Sequence, residues 1–270
     1  MRELKFSLLL LHKQKLLYYI ICIFMLFSLI DVVIVFIKYI DVIDIKEKSF
    51  TAEYLFMLYF PYIRIAPYLI FGFPVLCSLP LADATWVELE QGSSTFLYHR
   101  LSYMKLAFLR YGISIALIFL LTFFCFFLNF ASMSVIFGNG KAMTYVYEPA
   151  FQQHVDSQFF LDSLRNSNPT LFAMSIMLHM SIMYGLLAGF SYAFSFIFKN
   201  RYLIFVGILI LIFGFEIITM LIRRPSLSII TQLQPMSVFS LQDAITMYFI
   251  LLVLGISILA SFLYKKKDMM

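Results

Sequence analysis

The sequence predicts an all-α integral membrane protein with six transmembrane helices, and three observations support this fold class. Hydrophobic residues make up 62% of the 270-residue chain and charged residues 13%, whereas a soluble domain is about half apolar and a quarter charged. The mean hydropathy is +0.91. Six runs have the ~20 mostly apolar residues of a spanning helix. We expect these spans, within a single transmembrane domain of residues 1–270, at 16–37, 62–82, 106–136, 171–198, 202–222 and 244–264.

The first span follows a basic amphipathic segment in which Arg2, Lys5 and Lys13 alternate with leucines. The span is longer than the ~7–15-residue apolar core of a cleavable signal. We therefore expect it to be retained as a membrane helix. Asp31 lies near its outer end, where it either reaches the outer water or takes part in a pathway or gate, because acids within spans are functional candidates.

Proline and glycine distinguish the second and fourth spans. Pro67 and Pro74 lie in the second span, and proline bends membrane helices. This span is either a kinked helix that lines a pathway or an irregular one. Gly185 and Gly189 in the fourth span are four residues apart, a spacing that lets helices approach closely. The close contact is expected inside the subunit or at a dimer interface.

Polar residues also occur in the fourth and fifth spans. His179 has no acidic neighbour at helical spacing, so we expect a hydrogen-bonded packing histidine. Glu216 precedes Arg223 and Arg224 by about two turns. It either forms an ion pair near the outer interface or contributes to gating or cargo contact. The semi-apolar segment 223–243 is expected to dip partly into the membrane interface.

The distribution of Lys and Arg predicts that both chain ends are cytoplasmic. With the amino terminus inside, the inner segments hold twelve Lys and Arg residues and the outer segments hold eight. Cytoplasmic loops normally carry this excess. The chain lacks a basic stripe with interleaved aromatic residues, which argues against a nucleic-acid partner.

The segment 83–105 is the one sizeable cytoplasmic loop expected between spans. Its first half is acidic and helix-forming, a glycine interrupts it, and its second half is basic. A loop of this kind would give a soluble motor a rigid, charged contact point. The residues that define it are Asp83, Glu88, Glu90, Gly92, Arg100, Ser102 and Lys105.

The pattern Glu88-x-Glu90-x-Gly92, followed by Arg100-x-Ser102, resembles the loop after the second span of type-2 ABC transporter permeases. The chain length, six spans, cytoplasmic ends and basic amino-terminal segment are also similar to that family. Two positions depart from its usual pattern, which has threonine after the glycine and a proline near the serine: they are Ser93 and Leu101.

The resemblance implies a membrane-spanning permease subunit of a multi-subunit exporter. The loop 83–105 would be its coupling helix, docked on an ABC ATPase subunit, and the segment with Arg2, Lys5 and Lys13 would be an interface helix on the inner leaflet. Two permease copies, or one copy and a paralogue, would work with two ATPase subunits. The expected cargo is a peptide, lipid or drug-like amphiphile.

The chain has no nucleotide-binding motif of its own. The nearest match, around Gly138 and Lys141, lacks the first glycine of a P-loop and the Ser or Thr after the lysine. We therefore expect ATP and magnesium to bind in the partner subunit, with no cofactor, metal or catalytic residue in this chain. Abundant Ile, Phe and Tyr suggest the cell membrane of a low-GC bacterium.

Two other function classes remain as alternatives. An ion-coupled secondary carrier or channel would have inverted repeats and charges at the membrane midplane. An intramembrane enzyme would have paired acids or a His and acid cluster within spans. Glu88 and Glu90 are two residues apart and would point to different faces of a helix.

Overall fold

The computed structural model describes residues 15–43, 52, 57–58, 68–80, 103–138, 161, 164, 167–198, 200–234 and 239–267. All regular structure within these ranges is helical. Such a fold suits a chain this apolar, because a helix satisfies its backbone hydrogen bonds within one segment when no water is present. The helices are α1 (Lys15–Ile43), α2 (Tyr68–Pro80), α3 (Tyr103–Phe137), α4 (Pro169–Phe194), α5 (Arg201–Leu221), α6 (Ile229–Leu233) and α7 (Leu241–Lys267).

Among the described residues, five helices are long and apolar enough to cross a membrane, namely α1, α3, α4, α5 and α7. They correspond to five of the six predicted spans and are compatible with the expected multi-pass helical membrane protein. The second predicted span, 62–82, is described only over Tyr68–Pro80, which is shorter than the other five.

Polar side chains cap several helices as the sequence would suggest. Asn168 accepts a hydrogen bond from the Leu171 amide at 3.1 Å, with Pro169 in the first turn of α4. Ser240 and Asp243 cap α7 reciprocally: Ser240 Oγ accepts from the Asp243 amide at 3.1 Å, and Asp243 Oδ2 accepts from the Ser240 amide at 3.1 Å. Both arrangements satisfy donors that a helix start leaves free.

The predicted fourth span ends earlier than expected, at Phe194 rather than at residue 198. Ser195 closes the last turn, because its Oγ donates to the Tyr192 carbonyl at 2.7 Å and its amide donates to the Ser191 carbonyl at 3.0 Å. The chain then turns, and Asn200 caps the next helix by accepting from the Tyr202 amide at 2.9 Å. Helices α4 and α5 therefore form a tight hairpin.

Helix α4 is the central helix of the bundle. In the most apolar stretch of α4, 72% of the residues are buried, whereas the corresponding share is 22–39% in the other four long helices. It packs most extensively against α3 and also contacts α7 and α5. Gly185 and Gly189 face α3: a Cβ at Gly185 would lie 2.8 Å from the Ile115 carbonyl oxygen. The glycine pair thus acts inside the subunit, one of the two expected arrangements.

Side-chain contacts show which helices run in the same direction. Cys125 of α3 bonds Phe24 of α1, and Asn129, one turn later, bonds Asp31 of α1, so these helices are parallel. Ser114 of α3 bonds Ala188 of α4, while Gly185 faces Phe119, so α4 is antiparallel to α3. We call the end where α1 and α3 begin the proximal end, and the end where α4 and α7 begin the distal end.

The described part of the connection between α5 and α7 that follows α5, residues 222–234, turns back into the bundle at the distal end. Arg223 has a φ of 55° in the left-handed region, and the Arg224 amide bonds the Thr219 carbonyl at 2.9 Å, as in a Schellman helix end. A 3-10 turn (Pro225–Leu227) and α6 follow. Ile229, Gln232 and Leu233 are fully buried, so this part of the segment packs among the helices.

Candidate functional site

Most of the predicted coupling and interface residues lie outside the described part of the chain. Lys105, in the first turn of α3, is described and is exposed at the proximal end. Of the pathway candidates, Asp31, Pro74 and Glu216 are described. Those outside the described residues are Arg2, Lys5, Lys13, Pro67, Asp83, Glu88, Glu90, Gly92, Arg100 and Ser102.

Pro74 is buried in α2 directly after a π-helical turn, Tyr68–Gly72. In a π-helix the carbonyl of residue i bonds the amide of residue i+5, and for Leu69 that residue is Pro74, which has no amide hydrogen. The hydroxyl of Tyr184 donates to the Leu69 carbonyl at 2.8 Å. Pro74 therefore shapes the contact between α2 and the central helix.

Asp31 lies in the interface between α1 and α3 and is 1% exposed. It therefore does not reach the outer water, one of the two arrangements expected for it. Asn129 of α3 donates a hydrogen bond from Nδ2 to Asp31 Oδ2 at 2.9 Å. No cation within ion-pair distance faces Asp31 among the described residues. The carboxyl is thus buried beside a neutral amide.

Asn129 joins three segments of the chain. Its Nδ2 also donates to the Ser28 carbonyl at 3.1 Å, and its Oδ1 accepts from the Met57 amide at 3.0 Å. Because an amide nitrogen only donates, the Met57 contact places the side-chain oxygen toward residue 57 and the nitrogen toward α1. Asn129 is fully buried, and it anchors both α1 and residue 57 to α3.

Two further hydrogen bonds join α1 to α3 near Asn129. Ser28 Oγ donates to the Cys125 carbonyl at 3.3 Å, and Cys125 Sγ donates to the Phe24 carbonyl at 3.1 Å. We call Ser28, Asp31, Cys125 and Asn129 the α1–α3 polar cluster. Asp31, Cys125 and Asn129 lie in the distal half of their helices, and Ser28 lies near the middle of α1.

A second polar cluster joins α4, α6 and α7. His179 Nε2 lies 2.9 Å from the Gln232 carbonyl oxygen, and Nδ1 pairs with the Tyr248 hydroxyl. Because a carbonyl only accepts, this geometry assigns the proton to Nε2 and makes Nδ1 the acceptor for Tyr248. His179 is 3% exposed, consistent with the hydrogen-bonded packing histidine expected from the sequence.

Glu216 of α5 forms a hydrogen bond with the start of α6, the short distal helix that also contacts His179. Ser228, which starts α6, donates from its hydroxyl to Glu216 Oε2. Glu216 forms no ion pair with Arg223 or Arg224 in this described region. Both arginines are exposed. The ion pair expected from helical spacing is replaced because the chain reverses at Arg223 and brings Ser228 back to α5.

Sequence reasoning missed Asn129, Ser228, Gln232 and Tyr248. Asn129 had a detectable signal, since an amide inside a 35-residue apolar helix is costly unless bonded. Ser228 and Gln232 had none, because their role depends on the return of residues 222–234 into the bundle. Among the described residues, no group of three His, Cys, Asp or Glu side chains could hold a metal ion.

Comparison with known proteins gives no relative for this chain: no family model, curated protein or solved structure matches it.

Proposed function

We propose that this protein is the membrane-spanning subunit of an ATP-driven ABC exporter in a bacterial cell membrane. The observation that carries the proposal is the loop 83–105, whose acidic half, Gly92 and basic half resemble the coupling loop of type-2 permeases. The ATPase is a separate subunit, because this chain has no P-loop. The cargo class is a peptide, lipid or drug-like amphiphile.

The directions of the helices support a coupling role for this loop. Helix α2 runs parallel to α4, since Tyr184 bonds Leu69 and Ser191 bonds the Ser78 carbonyl at 2.8 Å. Helix α2 therefore ends, and α3 begins, at the proximal end. The two ends of the connection 81–102 therefore lie at the proximal end of the bundle. Helix α1 begins and helix α7 ends at the same end.

The charged residues in the described part of the chain are distributed unevenly between the two ends of the bundle. Seven of the described Lys and Arg residues lie toward the proximal end, and all four described Asp and Glu residues lie in the distal half. This asymmetry supports a cytoplasmic proximal end, because cytoplasmic segments carry the excess of basic residues. The proximal residues are Lys15, Lys105, Arg110, Arg201, Lys265, Lys266 and Lys267, and the distal acids are Asp31, Asp41, Glu216 and Asp243.

The proposal is tested by purifying the tagged protein from its host in mild detergent together with its ATPase. The double substitution Glu88→Ala and Glu90→Ala is expected to weaken ATPase binding or to uncouple ATP hydrolysis from transport, because these acids would set the register of docking. Glu148→Ala is the matched control and should retain both properties, because it lies in the segment of about 137–169 between the third and fourth predicted spans, which is expected outside when the amino terminus is inside. Normal binding and transport by the double variant would refute the coupling role of this loop.

An ion-coupled carrier is the second candidate, and the burial of Asp31 is the observation that favours it. Acids held inside membrane bundles often belong to ion or proton pathways. A carrier would transport its substrate in proteoliposomes that contain this chain alone and an ion gradient. The exporter would transport only when the ATPase and ATP are added.

A further inference from the structure

The carboxyl of Asp31 occupies an environment that does not suit a negative charge. It is 1% exposed, and its hydrogen-bond donor is the neutral amide of Asn129 at 2.9 Å. A buried carboxylate is strongly unfavourable unless a cation or several donors compensate it. The single amide supplies one such donor, so a further positive partner is needed when Asp31 is ionised.

Among the described residues, the groups that surround Asp31 do not provide that partner. The described helices packed against this part of α1 are α3, which contributes Cys125, and α2, which contributes Tyr68 beside Phe27. Neither of these titratable side chains can carry a positive charge. The Met57 amide is already bonded to Asn129 Oδ1, and Asp31 has no ion pair within the described residues.

The geometry is also unsuited to a metal ion. The Asn129 nitrogen points its hydrogens at both Asp31 Oδ2 and the Ser28 carbonyl, which are the oxygens a cation would need. A proton needs only one free carboxyl oxygen, and it leaves the Asn129 hydrogen bond to the other oxygen intact. The arrangement therefore selects a proton over a coordinated cation.

We propose that Asp31 is a proton-binding site of the α1–α3 interface: the buried carboxyl carries a proton on one oxygen while Asn129 Nδ2 donates a hydrogen bond to the other. On release the O–H bond breaks, the proton passes to a water molecule and the carboxylate becomes hydrated. This inference concerns the chain alone and does not depend on an ATPase partner.

Infrared spectroscopy of the purified protein in liposomes tests the site directly. At pH 7 we expect the C=O band of a protonated carboxyl that shifts when aspartate is labelled with ¹³C and disappears in Asp31→Asn. Asp31→Asn keeps the size of the side chain and one hydrogen-bonding oxygen. Asp243→Asn is the matched control: Asp243 is a half-buried acid that caps α7 through Ser240, and its loss should leave the band in place.

A second variant tests the hydrogen bond between Asn129 and the protonated carboxyl. Asn129→Leu removes the amide donor to Asp31, so the C=O band is expected to shift in frequency while remaining sensitive to ¹³C-aspartate. The absence of any such band from the wild-type protein overturns the proposal without reliance on a variant. A band that appears only when Na⁺ and K⁺ are replaced by a bulky organic cation also overturns it, because the site would then hold a metal cation.

Discussion

Two buried tyrosines of this bundle differ in whether the side-chain hydroxyl forms a hydrogen bond. Tyr184 is fully buried, and its hydroxyl donates to the Leu69 carbonyl of α2. Tyr111 is 4% exposed and its ring packs against Gly189 and Gly255, but its hydroxyl has no hydrogen-bond partner in the described structure. A buried polar atom without a partner costs about 1–3 kcal/mol relative to one that is bonded.

Replacing each tyrosine by phenylalanine should therefore have opposite effects. Tyr111→Phe removes an unbonded hydroxyl and is expected to leave the melting temperature unchanged or to raise it by a few degrees. Tyr184→Phe frees the Leu69 carbonyl and is expected to destabilise the protein by about 1 kcal/mol, or roughly 2–4 °C. Thermal unfolding of the detergent-solubilised variants, followed by circular dichroism, measures both shifts. A larger loss for Tyr111→Phe than for Tyr184→Phe would contradict this assignment.

At the same scale, the sequence identified some of the polar residues that lie within spans but not what they contact. Asp31, His179 and Glu216 were all identified from their position in apolar runs. Their partners are distant in sequence: Asn129 is 98 residues from Asp31, and Tyr248 is 69 residues from His179. Sequence spacing suggests only partners within a turn or two of the same helix, which is why an ion pair with Arg223 or Arg224 was one of the two arrangements expected for Glu216.

The contact between α3 and α4 depends on the absence of side chains at two positions of α4. A Cβ at Gly185 would lie 2.8 Å from a backbone oxygen of α3, and one at Gly189 would lie 2.8 Å from Ile115 Cγ1. Backbone cannot move aside as a flexible side chain can, so Gly185 is the more restrictive position. Gly112 on α3 is the opposite case, since a Cβ there would meet no atom within 4 Å.

Alanine substitutions at these glycines should separate packing from helix propensity. Gly185→Ala forces α3 and α4 apart and is expected to destabilise the protein by about 1–3 kcal/mol. Gly112→Ala gains the higher helix propensity of alanine, up to about 1 kcal/mol, and should be neutral or stabilising. Melting temperatures of the two variants, with wild type as reference, measure the difference. Equal effects at both positions would mean that close approach at Gly185 does not hold these helices together.

The elements of this fold were predictable to different degrees. Long apolar runs predicted α1, α3, α4, α5 and α7, because length and hydropathy are local properties of the chain. Helix α6 was not predicted as a helix, since it has only five residues and follows Pro225 and Ser228. It is stabilised by burial against α4 and α5, and such burial cannot be read from a short segment.

At the scale of the whole molecule, the proposals depend on which side of the membrane each end of the bundle faces. The cytoplasmic proximal end is inferred from the excess of Lys and Arg, a rule about insertion rather than about packing. Lys15 and Lys105 are exposed at the proximal end, and Arg223 and Arg224 are exposed at the distal end. These four positions can report sidedness without disturbing the core.

Single cysteines at these positions are expected to react from opposite sides of the membrane. In a background in which the exposed Cys22 is replaced by Ser, Arg223→Cys and Arg224→Cys should react in intact cells with a membrane-impermeant maleimide. Lys15→Cys and Lys105→Cys should react only after the cells are permeabilised, because the proximal end would face the cytoplasm. Cys77 and Cys125 are buried and serve as the unreactive background, checked with the Cys22→Ser protein itself. Reaction of Lys105→Cys in intact cells would place the loop 83–105 outside, away from ATP, and the coupling of this loop to an ATPase would then be impossible.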